Sequence, residues 1–127
     1  MSSRWLAPYS WEFITAQNAA LCAAKDAMHG PTSEGHVEAR KLWTDRCASE
    51  LTLMEAVEVC RKCHQLAPFC FYNGNTFAAV VRDVIQQLPI PAVEKSVVRS
   101  LAGHIVAGVA TGQEVEEFEG FCKKHGY

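Results

Sequence analysis

Apolar residues in this chain recur three and four apart in six successive runs, the pattern of amphipathic helices. The first run opens at Ser10, an N-capping residue, with Glu12 in the first turn. It predicts a helix to about Met28, with Phe13, Ala20, Ala24 and Ala27 on one side and Ile14, Leu21 and Met28 beside them. Gly30-Pro31 ends it. Thr32 or Ser33 can cap a second helix reaching about Ala48, in which Ala39, Trp43 and Cys47 share a face and Arg40, Lys41, Asp45 and Arg46 point out. Thr52 and Glu55 spell a capping box, in which each side chain satisfies a free backbone donor near the other. The third helix follows to about Leu66, and its apolar stripe is Leu53, Ala56, Val57, Cys60, Cys63 and His64.

Ala67-Pro68 stops that helix, because the residue before proline is pushed out of the helical region. After an extended stretch and an Asn73-Gly74 turn, Phe77, Val80, Val81, Val84 and Leu88 predict a fourth helix over about 76–88, capped by Asn73 or Asn75. Arg82, Asp83, Gln86 and Gln87 take its other side. Pro89-Ile90-Pro91 breaks the chain, and a fifth helix is expected over about 91–110. Residues 101–110 are apolar nearly all round, which marks a central, buried helix. Gly103 and Gly108 each cost roughly 0.5–1 kcal/mol in a helix interior, so a closely approaching neighbour is expected there. A sixth helix over about 113–125 carries glutamates at its start and Lys123, Lys124 and His125 at its end, matching the helix dipole. The expected fold is all-α, a compact bundle of about six helices around a central apolar helix (91–110). Residues 1–9 form an N-terminal tail and 10–127 a single domain.

Composition narrows the function classes. A formal charge of -2 gives no bulk attraction for nucleic acid or an anionic membrane. The longest apolar run, 101–110, is interrupted by His104 and falls short of the ~20 residues of a membrane span. With no apolar stretch near the start that resembles a secretory signal, the expectation is a cytoplasmic protein whose six cysteines are reduced thiols.

Three constellations could carry chemistry. Cys60-x-x-Cys63-His64 matches the c-type haem attachment spelling, and with Cys70 it could instead be a thiolate–histidine zinc or redox site. Cys60 and Cys63 also both lie on the apolar stripe, so the competing expectation is two core thiols and no cofactor. Arg99 and His104 resemble the R-x4–6-H spelling of the HEPN ribonucleases, which are all-α bundles that often dimerise. That resemblance implies phosphate stabilisation by Arg99 and acid–base work by His104. Five residues apart on a regular helix, however, the two side chains diverge by ~140°. Without that role they are a surface arginine and a core histidine. The third constellation is the segment Phe69, Phe71, Tyr72, Asn73, Gly74 and Asn75, which holds more aromatic area than a short connection needs and is the first candidate for a binding surface. Its asparagines could equally brace the backbone.

The expectation drawn from these patterns is a small helical interaction or adaptor module without catalysis, which binds a protein partner or self-associates. It resembles death-fold-like adaptors in size and helix number only. Two alternatives stand beside it: metal or haem binding through Cys60, Cys63 and His64, and a HEPN-like ribonuclease acting through Arg99 and His104.

Overall fold

A computed structural model describes residues 2–127. Six helices follow one another: α1 (Trp11–Ala24), α2 (His36–Arg46), α3 (Leu53–Leu66), α4 (Asn73–Gln86), α5 (Ala92–Ala107) and α6 (Gly112–His125). Among the described residues extended pairing is limited to two isolated bridges, Ser3 with Leu51 and Pro31 with Phe69. The bundle is all-α. Its centre is α3, which touches α2, α4, α5 and α6. The start of α4 lies beside the end of α5, and the Lys95 ammonium donates to the Gln86 carbonyl at the other end, so α4 and α5 form an antiparallel hairpin.

Local chemistry fixes most boundaries. Both reciprocal bonds of the capping box at Thr52 and Glu55 are present, and a second box joins Thr111 and Glu114 at the start of α6. Gly108 ends α5 in the left-handed region, with φ 78°, where a glycine pays no Cβ penalty. The helix is therefore shorter than the periodicity implies, and Gly108 is its stop and not an interior residue. It is also less enclosed: His104, Ala107, Gly108 and Val109 are exposed, while Leu101, Ala102, Ile105 and Val106 are buried.

At the other end of the chain, Leu6 and Tyr9 are buried, and Trp43 donates from Nε1 to the Tyr9 carbonyl at 2.7 Å. Trp43 is fully buried, and replacing such a side chain by alanine costs about 3–5 kcal/mol. Helix α1 stops at Ala24, four residues before its expected end, with Asp26 in the left-handed region. Its buried face is Trp11, Ile14, Asn18 and Cys22, not the stripe through Phe13, and Phe13 is half exposed. Helix α2 starts later than expected, because Thr32 is spent on the Ala67 carbonyl and the Gly35 amide instead of capping the helix directly.

Candidate functional site

The sequence string from Cys60 to Cys70 is taken apart by the helix that carries it. Successive residues of an α-helix project ~100° apart, so neighbours in sequence face different partners. The Cys63 sulfur lies 3.8 Å from the Ala39 carbonyl of α2. His64 turns to α5, where its Nδ1 is 2.8 Å from the Val106 carbonyl. Since a carbonyl only accepts, that nitrogen carries the proton. Arg61, one turn earlier, donates to the adjacent Ile105 carbonyl at 3.0 Å. His64 thus supplies a donor to the Val106 carbonyl in the last turn of α5, while Arg61 adds a second donor to the Ile105 carbonyl, which already accepts from the Gly108 amide at 3.1 Å.

Cys60 is fully buried, and burial pushes its thiol well above the ordinary range; the neighbouring Cys63 thiol adds to this. Burial also raises Cys63, to about 12. Neither is poised to become the thiolate that metal ligation and thioether chemistry need. Cys70 is exposed, and its sulfur is 4.0 Å from the Pro31 carbonyl. Cys60, Cys63, His64 and Cys70 thus do not converge, and among the described residues no group of three His, Cys, Asp or Glu side chains could hold an ion. The donor set expected for zinc or haem does not fit either group, because helical geometry aims its members at different neighbours.

The aromatic segment divides in a similar way. Phe69 is buried against Trp11 with rings nearly parallel at 5.7 Å. Asn73 grips the Phe69 backbone twice, accepting from its amide at 2.9 Å and donating to its carbonyl at 2.7 Å. Asn73 and Asn75 do not cap α4. The N-cap is Tyr72, held at φ 60° with no side-chain bond to the helix. Phe71 is 49% exposed, and its carbonyl accepts from Asn18 Nδ2 at 2.8 Å. Asn18 also donates to Thr76 Oγ1, and its own oxygen faces His29 and Cys22. This buried asparagine ties α1 to the loop and to α4. It was hidden in the sequence because an apolar stripe read through Phe13 leaves Asn18 on the wet side.

The remaining members of the three constellations meet in one place. An open groove of about 530 Å³ lies between the end of α3, the start of α4 and the end of α5. His64, Tyr72, Gly74, Asn75, Arg82 and His104 supply its characteristic lining. His104 is not a core residue: its side chain is 48% exposed, and its Nδ1 donates to Glu114 Oε2 at 2.6 Å. Glu114 is held below the usual carboxylate range, first by the Thr111 amide and then by His104. Arg82 lies across Gly103, where a Cβ would come within 2.7 Å of its terminal nitrogen. The close neighbour expected at Gly103 is therefore a guanidinium and not a helix backbone. Arg99, the arginine of the R-x4–6-H spelling, does not line the groove, and its Nε is buried without a partner. Arg82 was missed in the sequence because it sits on the polar side of α4, where a charged residue is unremarkable.

No family model, curated protein or solved structure matches this chain. No helix is long and apolar enough to cross a membrane among the described residues.

Proposed function

We propose that this chain is a helical interaction module that engages a protein partner, or a second copy of itself, through the α3–α4–α5 groove, without catalysis of its own. The observation that carries this reading is the Tyr72–Asn75 wall of the groove, with the half-exposed Phe71 next to it. Asn73 and Asn18 brace that segment and its flanks by four hydrogen bonds, which favours a shape set before a partner arrives. Preformed contact surfaces lose less entropy on association. A photo-crosslinking residue placed at position 71, in cells of the native host, is expected to give a discrete protein adduct. The same residue at exposed Val37 of α2 is the control and should give none. Equal labelling from the two positions, or none from position 71, overturns the reading.

A second reading is a ribonuclease centred on His104. Its support is that His104 stands exposed in the groove with Glu114 behind it and Arg82 beside it, an arrangement suited to acid–base work on a phosphodiester. Against it, the arginine that the HEPN resemblance assigns lies elsewhere. Cleavage of a single-stranded RNA by the purified chain, abolished by His104→Ala, is its test; an inert wild type ends it.

A further inference from the structure

The polar chemistry of the groove points to what it holds. The Arg82 side chain makes no hydrogen bond or ion pair to any described residue, and its guanidinium lies over Gly103. No carboxylate lines the groove. Both histidines have Nδ1 committed as a donor, His64 to the Val106 carbonyl and His104 to Glu114, which leaves Nε2 of each for a ligand. A free arginine in a cleft without acids is complementary to an oxyanion, and each backed imidazole adds an Nε2 donor when its ring is doubly protonated.

We propose that the groove is a phosphate-monoester site in which Arg82, His64 and His104 hold the phosphate of a phosphorylated side chain on the partner. This rests on the interaction reading above and names its ligand. A nucleic-acid backbone suits the surface less well. A polyanion needs a basic stripe that follows it, and here the net charge is -2 and a single arginine and no lysine line the groove. A single phosphate matches the single free guanidinium.

The test is a titration of the full chain with N-acetyl-phosphoserine amide, its unphosphorylated parent, AMP and acetate, followed by backbone and imidazole NMR shifts. Phosphoserine amide is expected to saturate shifts at residues 74, 82 and 104, and the unphosphorylated compound and acetate to leave them still. Arg82→Gln should weaken binding roughly tenfold or more, the loss of one charge-assisted contact. Gly103→Ala should weaken it too by displacing the guanidinium, while leaving the fold as stable or more so. Shifts that do not saturate, or that Arg82→Gln leaves unchanged, overturn the phosphate site; a crosslink at position 71 would then keep the interaction reading standing alone. AMP binding more tightly than phosphoserine amide overturns the phosphorylated side chain as ligand and, with it, the protein-partner reading.

Discussion

The two flanks of α3 behave as if they belonged to different proteins. On one, Cys60 and Cys63 are sealed in the core, with Cys63 against α2. On the other, Arg61 and His64 reach to the end of α5 and donate to two successive carbonyls. The neighbour decides the difference. The side facing α2 meets packed side chains and needs a small apolar filler, which a thiol supplies. The side facing α5 meets the carbonyls of a helix terminus, which have acceptor capacity to spare, and answers them with donors. Five adjacent letters that read as one cofactor motif therefore serve two unrelated structural demands.

The comparison breaks most sharply at Cys60. Cys60→Asp is expected to cost about 3–5 kcal/mol in urea unfolding, or to prevent folding, because an unpaired charge replaces a thiol in a dry core. Cys60→Ala, which only shortens the filler, should cost far less. If aspartate is tolerated at position 60, the sulfur does not sit where the packing places it.

A pH series sharpens the same contrast. The Cys63 thiol is raised by burial from 9.0 to about 12. A folded-state value above the unfolded one means that the folded form holds the proton more tightly. The stability is then fully present below about 9 and is lost as the pH rises towards about 12. Burial raises Cys60 and Cys122 in the same sense, so the effects accumulate. Denaturant midpoints should decline over that interval, and more gently in Cys63→Ala. An identical decline in the two proteins would count against a buried thiol at position 63.

Much of this architecture was legible in the residues. Thr52 and Glu55 announce α3 to the residue, since a capping box is a local device that later packing does not revise. The apolar spacing of α4 named its buried side correctly at Phe77, Val80, Val81 and Val84. Helix α1 was harder, because its inward stripe contains Asn18, and periodicity scores an asparagine as polar whether or not it finds four partners inside. The groove was legible only in fragments. The Tyr72–Asn75 segment, His64 and His104 each stood out, but for separate reasons, and nothing local says that residues 64, 74, 82 and 104 share a surface. That follows from the antiparallel return of α5 along α4, a tertiary fact. The glycine at position 103 carried a hint, since an interior helix glycine asks for a close neighbour; the identity of that neighbour, Arg82, did not follow from spacing.

The gentlest test lies on the donor flank. His64→Ala removes one hydrogen bond to the Val106 carbonyl and should cost about 1 kcal/mol, the usual net worth of such a bond when water can replace the partner. His64 is half-buried, so solvent can reach the freed carbonyl. His64→Gln can still offer an N–H there and should recover part of the loss. Hydrogen exchange at residues 105–108 reads the effect directly: α5's last turn should open more readily in the alanine variant, while α3 itself keeps its protection. Loss of protection along α3 instead would mean that His64 packs as part of the thiol core, and the two flanks would then be one.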